Sequence, residues 1–329
     1  MNYLRPTFST RRHAVRSLHA LAVVAIAVPL AFTAVLGPLA APAAAGPAKG
    51  TVSIDGSSTV FPLSEAAAEL FQKAQKNVRV TVGESGTGGG FKKFCAAEID
   101  ISNASRPIAA DEIAACKAKG VQYRQFTVAN DGIAIVANPA NKVSCLTVAQ
   151  LKKVWSRGST VKNWKDIDAS FAKLDLKLFG AGTASGTFDF FTEAVNGKAK
   201  QSRTDYNATE DDNVTVSGVA GTKGAMGYFG LSYAELNANK VKLLAVDPGN
   251  GKCVVPSSKT VQDGTYAPLS RPLFVYVSAT ALKRPEVLAF VEYQLANLDK
   301  LAKRALFVPL TAKQKTASAA ALAELKKLG

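Results

Sequence analysis

Short apolar runs alternate with amphipathic stretches along most of this chain. Residues 51–54, Val78–Val82, 99–102, 121–126 and 132–137 read as buried-type strands. Between the first two, Leu63, Ala67, Leu70, Phe71 and Ala74 share one helical face over 62–76, with Pro62 in the first turn, where a missing N–H is tolerated. Helices are expected over 91–97 and 111–119, the second stopped by Gly120. A Pro/Asn loop then leads to a helix over 147–155. The alternation continues through strand 176–179, helix 188–195, an acidic helix start at Glu210-Asp-Asp212, and strands 225–229 and 241–246. Asp247-Pro-Gly-Asn-Gly251 interrupts the pattern, strand 273–277 returns to the first block, and helices over 285–298 and Ala312–Leu328 close the chain. The Ala/Lys-rich last helix reads as a solvated cap. Strand and helix alternating at this spacing predict βαβ units and a mostly parallel sheet, with a boundary between two blocks near 130–132.

Three of the strand-to-helix connections are rich in hydroxyl groups and glycine. Gly56-Ser-Ser-Thr59 follows the first strand, and Val80-Thr-Val-Gly-Glu-Ser-Gly-Thr-Gly-Gly-Gly-Phe91 follows the second. Gly182-Thr-Ala-Ser-Gly-Thr187 follows strand 176–179. A strand, a Gly/Ser/Thr loop and a helix turn backbone N–H groups and a positive helix end toward an anion. One such loop is an ordinary turn; three point to one anion held by three helix starts.

Composition narrows the setting. The first 45 residues carry Arg5, Arg11, Arg12 and Arg16 without an acid, then an apolar run from Ala20 to Leu36 and small residues ending at Ala43-Ala-Ala45. This is the layout of a cleaved signal peptide, by a general or a twin-arginine route, and no cysteine near the cleavage region marks a lipid anchor. Removing it leaves 284 residues with 36 Lys and Arg against 25 Asp and Glu, a charge of +11. Such a charge favours anionic partners; the lysines are scattered rather than clustered among aromatics, so a small anion is expected and nucleic acid is not. Both histidines, His13 and His19, fall in the leader, which removes Ser-His-Asp and Cys-His catalysis and nearly all zinc sites. No cofactor is expected. Cys95, Cys116, Cys145 and Cys253 are an even set in an exported chain and read as two disulfides. Three pairings are open; the simplest joins Cys95 to Cys116, which flank one strand–helix unit, and leaves Cys145 for Cys253.

The remaining motifs exclude more than they include. The glycine run fails both nucleotide templates, since Gly86-Thr-Gly-Gly-Gly-Phe91 lacks the last glycine of GxGxxG and Gly83…Gly88 is followed by Gly89 rather than a lysine. Ser159…Lys162 and Ser170…Lys173 match S-x-x-K but have no S-D-N or K-T-G companion. The acids at Glu210-Asp-Asp212 have an ordinary explanation in the helix dipole. Arg106, in Asn103-Ala-Ser-Arg-Pro-Ile108, stands out at the carboxyl end of strand 99–102, where a guanidinium can fork onto an oxyanion.

Taken together, Ile54-Asp-Gly-Ser-Ser-Thr-Val-Phe-Pro62, Val82-Gly-Glu-Ser-Gly-Thr-Gly-Gly-Gly-Phe91, Asp100-Ile-Ser-Asn-Ala-Ser-Arg-Pro-Ile108 and Gly182-Thr-Ala-Ser-Gly-Thr-Phe188 closely resemble the periplasmic phosphate-binding proteins of ABC transporters. Ser202-Arg-Thr-Asp-Tyr206, Glu210-Asp-Asp-Asn213 and Tyr266-Ala-Pro-Leu-Ser-Arg-Pro-Leu273 are similar to that family as well. The resemblance implies an α/β, two-lobed periplasmic-binding-protein fold of the class II type, each lobe a mostly parallel sheet flanked by helices. The lobes would be 46–130 with 255–329, and 131–254, closing over one phosphate. Carried over by motif, the ligand shell comprises Ser58, Thr59, Ser85, Thr87, Ser105, Arg106, Ser185, Gly186 and Thr187. Arg271 has no matched contact. The better-known branch of the family has an aspartate where Arg106 stands, and an arginine four residues before the serine matched by Ser185, where this chain has Ala181. The acceptor for a phosphate proton is therefore open, with Asp131 and Asp189 as candidates.

The expectation is an exported, monomeric, non-enzymatic receptor that delivers inorganic phosphate to a membrane permease. The rival readings are an exported phosphatase on the same shell, and a binding protein for sulfate, arsenate or molybdate.

Overall fold

In the computed structural model, which describes residues 49–183 and 185–328, the apolar runs become strands joined by helices. The expected leader lies outside the described residues. The first half runs β1 (Gly50–Gly56), α1 (Phe61–Ala74), β2 (Val78–Val82), α2 (Thr87–Cys95), β3 (Ile101–Ala104) and α3 (Ala110–Ala118), then enters β4 (Tyr123–Ala137). The second continues with β5 (Cys145–Thr147), α4 (Val148–Trp155), α5 (Trp164–Ile167), β6 (Lys177–Ala181), α6 (Gly186–Asn196), β7 (Asn207–Thr209), α7 (Asp212–Gly221), β8 (Ala225–Gly230), α8 (Leu231–Leu236) and β9 (Lys242–Asp247). The chain ends with α9 (Ser258–Gln262), β10 (Ser270–Ser278), α10 (Ala279–Leu282), α11 (Pro285–Ala296), α12 (Leu298–Arg304) and α13 (Ala312–Leu328).

The strands follow the order β2-β1-β3-β10-β4-β8-β6-β7, with β9 beside β4 and β5 beside β9. Short strands joined by helices pair in parallel, as crossover connections require. Among the named strands, every antiparallel pairing involves β4 or β10, the two strands that carry the chain across the molecule. Two main apolar cores lie along the sheet. One gathers Val52, Leu63, Phe71, Val80, Ile101, Val275 and Phe290. The other gathers Ile133, Ile135, Trp155, Phe191, Tyr228 and Leu244, and includes Val261, Tyr266 and Leu269, so the returning chain rejoins the first core at Leu273. This is the mixed α/β, two-lobed arrangement expected.

Two local readings change. Residues 121–126 and 132–137 are not separate strands but parts of the 15-residue β4, whose first part pairs with β10 and whose last five residues pair with β8. The polar Asn130 and Asp131 that broke the apolar run keep their places in the ladder opposite Pro272 and Arg271. The second helix begins at Thr87 rather than at 91, so Gly88, Gly89 and Gly90 sit in its first turn. Glycine weakens an isolated helix, but here packing requires it: a Cβ on Gly90 would fall 2.5 Å from Gly56 Cα. The helix thereby lies directly on β1. Both disulfides are those of the simplest pairing, Cys95–Cys116 and Cys145–Cys253.

Candidate functional site

The starts of α1, α2 and α6 meet where the two cores adjoin. An α-helix leaves its first N–H groups without intrahelical acceptors, and those groups carry partial positive charge. Ser185 caps α6 by accepting the Thr187 N–H at 3.1 Å. Thr59 Oγ1 lies 3.5 Å from Gly186 O, and a Cβ on Gly186 would fall 2.8 Å from Thr59 N. Only glycine lets the two chain segments approach this closely. On the opposite side Thr87 Oγ1 and Ser105 Oγ are 3.1 Å apart, and the Ser105 N–H donates to Thr87 Oγ1 at 3.2 Å.

Two small cavities share Ser58 and Thr59. One, of about 220 Å³, is lined by Thr87, Ser105, Arg106, Asp189 and Arg271. The other, of about 190 Å³, is lined by Ser185, Gly186, Thr187, Asp131 and Asp212. All of the expected ligand residues except Ser85 line one cavity or the other. Ser85 turns away: its N–H and hydroxyl both donate to Asp55 Oδ1, at 2.9 and 2.7 Å, and Lys93 pairs with the same carboxylate.

The two arginines have unlike settings. Arg106 forks onto Glu112, Nη1 and Nη2 each 2.8 Å from a carboxylate oxygen, and its side chain is 40% exposed. Glu112 also accepts the Ala109 N–H at 2.8 Å, at the start of α3. Arg106 thus stands at the rim with its planar face committed. Arg271, which the family resemblance left without a contact, lies inside. Its side chain is 13% exposed, its Nη2 donates to Thr59 Oγ1 at 3.0 Å, and its Nε faces Asp131 Oδ2 at 3.4 Å. Its guanidinium carbon sits 3.7 Å from the centroid of the Phe190 ring. One side chain therefore touches the start of α1, the crossover of β4 and the second turn of α6. Burial pulls Arg271 down from its ordinary pKa, against Asp131, and pushes the Asp131 carboxyl up, against Arg271.

The acids around the cavities differ too. Asp189 Oδ1 is buried and has no hydrogen-bond partner among the described residues, while Oδ2 is 3.7 Å from Lys200 Nζ. Burial pushes its carboxyl up, with Lys200 pulling the other way. Asp212, at the start of α7, is pushed up to about 6 by burial and then by Asp211. Asp211 caps that helix by accepting the Asn213 N–H at 2.8 Å, as the dipole explanation of the acidic run requires.

Residues 41–297 match the profile described as the PBP superfamily domain. The chain belongs to the PBP superfamily. SphX from Synechococcus elongatus is 48% identical over 301 residues, covering 91% of this chain and 88% of that one. The phosphate-binding protein PstS of Staphylococcus saprophyticus is 41% identical, covering 82% and 83%. The crystal structure of a possible phosphate binding protein from Planctomyces limnophilus has a TM-score of 0.81 at 48% identity, covering 85% of this chain and 99% of that one. Membership of this superfamily accords with the mixed sheet, the crossover strands and the cleft between two cores.

Proposed function

We propose that this chain is an extracytoplasmic receptor that captures inorganic phosphate between its two lobes and hands it to the permease of an ABC transporter. The observation that carries the reading is Arg271, a buried guanidinium opening onto a cavity lined by the hydroxyls of Ser58, Thr59, Thr87 and Ser105, with Arg106 and the carboxylates of Asp189 and Glu193 at its other sides. It is supported by relatives whose names specify phosphate. Thr59, Thr87, Ser105 and the start of α6 would donate to the phosphate oxygens, with Ser58, Ser185, Gly186 and Thr187 completing the shell. Arg271 would supply the formal charge, and Asp189 would accept a proton from the ligand.

In this reading the protein is a binder and not a catalyst: the groups around the cavity would hold and orient an oxyanion, and among the described residues no nucleophile is paired with a base there. Closure would bend the chain where β4 and β10 cross between the cores, at residues 130–131 and 270–271. Because the shell combines Thr59, Thr87, Ser105 and Arg271 with the start of α6, ligand would reach all of these groups together only in the closed form and so would favour it. Calorimetric titration of the mature chain tests the reading. Saturable one-to-one binding of phosphate, with sulfate far weaker, is expected. Absence of phosphate binding, or equal binding of sulfate, overturns it.

A further inference from the structure

A cavity of about 560 Å³ opens at the surface beside the second core and is lined by residues other than those of the cleft. Its volume is that of a small-molecule site. Trp164, 1% exposed, forms part of the wall, and its indole N–H donates to Gly224 O at 2.9 Å, which fixes the ring. Phe171 lies against it with ring centroids 6.2 Å apart, and Leu174 extends the apolar surface. Cys145, also in the wall, is tied to Cys253, so this side is covalently pinned.

The charged groups at this cavity are all of one sign. Lys142, Lys173 and Lys223 line it, and among the described residues no carboxylate does. Asp168 accepts the Ser170 N–H and hydroxyl at 2.9 and 2.7 Å but stays outside the lining. Asp175 is likewise outside and accepts from Asn163 Nδ2 at 3.3 Å. Lys242 Nζ donates to Asn141 O at 3.1 Å, bringing a further cation to the same loop. Asn141 itself lines the cavity, is 7% exposed, and its Nδ2 has no acceptor among the described residues.

An inorganic oxyanion would use the lysines and leave the aromatic wall bare. A neutral apolar molecule would cover the wall and leave the cations unused. We propose that this cavity binds a small aromatic carboxylate, its ring against Phe171 and Leu174 and its carboxylate toward Lys142, Lys173 and Lys223. The site is independent of the phosphate cleft.

Titration of the mature chain with 2-naphthoate, followed by calorimetry, tests this. Saturable one-to-one binding is expected, with 2-naphthamide at least tenfold weaker. The variant Lys142→Glu/Lys173→Glu/Lys223→Glu should lose at least tenfold in naphthoate affinity while keeping its thermal unfolding midpoint. Phe171→Ala, which leaves the lysines in place, should also weaken binding. No saturation up to millimolar naphthoate, equal binding of the amide, or an unaltered affinity in the charge-reversed variant would each overturn the proposal.

Discussion

Arg271 of β10 and Asp131 of β4 are register partners in an antiparallel ladder, and their side chains meet at 3.4 Å between Nε and Oδ2. The pair lies where the chain crosses between the cores, and its cation also reaches Thr59 and the face of Phe190. A buried ion pair contributes little net stability by itself, but removing one partner leaves the other charged and unpaired. The cavity beside it is lined by Ser58, Thr59, Thr87 and Ser105 together with Arg106, Asp189 and Glu193, and the proposed phosphate binding would give this cation a second task.

Arg271→Ala is therefore expected to weaken phosphate binding by at least ~2 kcal/mol, roughly thirtyfold. It should also lower stability by about 3–5 kcal/mol, because Asp131 loses its partner. Arg271→Ala/Asp131→Asn should regain most of the stability and none of the affinity. Calorimetry and urea unfolding on the same three proteins separate the two roles. If Arg271→Ala bound phosphate like the wild type, the assignment would fail.

For Arg106 the expectation is smaller. Its fork is already occupied by Glu112, and 40% of its side chain is exposed. Arg106→Ala should weaken phosphate binding less than tenfold, below about 1.4 kcal/mol. Glu112→Gln, which loosens that fork, should leave affinity unchanged or improve it. A thirtyfold loss in Arg106→Ala would restore Arg106 as the principal cation.

Asp189 lines the cavity, and its buried Oδ1 has no hydrogen-bond partner among the described residues. Phosphate near neutral pH carries a proton to donate and sulfate carries none, so a carboxylate acceptor admits one and repels the other. Asp189→Asn should bind phosphate at least tenfold more weakly and narrow the gap to sulfate. Competition titrations with both ions check this; an unchanged ratio of affinities would sink the idea.

The Asp212 carboxyl, pushed from 3.8 to about 6, gives a pH dependence of stability with a definite sign. The folded protein keeps a proton that the unfolded chain has already released, so this residue removes stability as pH rises from about 4 through about 6. The full effect is at most about 3 kcal/mol, since each tenfold difference in proton affinity between the two states is worth about 1.4 kcal/mol. Asp212→Asn cannot titrate, so its stability relative to wild type should rise across that window and level off above it. Unfolding free energies measured between roughly pH 3.5 and 7.5, a range that brackets both ends of the titration, decide the matter. A constant difference would refute the upward displacement of this carboxyl.

The two disulfides should differ in weight. Cys95–Cys116 spans 21 residues and Cys145–Cys253 spans 108. Loop-closure entropy alone gives about 3 kcal/mol for a short loop of this kind and nearly 5 for one of about a hundred residues. Replacing each pair by alanine should cost more stability for Cys145–Cys253 than for Cys95–Cys116, by denaturant unfolding without reductant.

Much of this protein was legible without coordinates, and for local reasons. Apolar runs of four to six residues, helical faces such as Leu63–Ala67–Phe71, and Gly/Ser/Thr connections are short-range patterns, and the backbone follows them. The strands at Val78–Val82 and the helix at Ala312–Leu328 fall where the pattern puts them. The hydroxyl residues of the cleft were also within reach, since a helix start declares itself by its neighbours; all but Ser85 line the cavities.

What the sequence did not determine depends on partners distant along the chain. Gly88, Gly89 and Gly90 look like a loop until Gly56 comes within touching distance of Gly90, which makes glycine the residue the helix needs. Asn130 and Asp131 look like a break in a strand until Val308 and Arg271 supply their partners. Arg106 looks free until α3 brings Glu112 onto its fork. Arg271 looks like one more charged residue at the head of an apolar strand, because its partner Asp131 is 140 residues earlier and Thr59 is 212. Charge in this cleft is set by which side chains bury one another, and burial is a property of the folded chain alone.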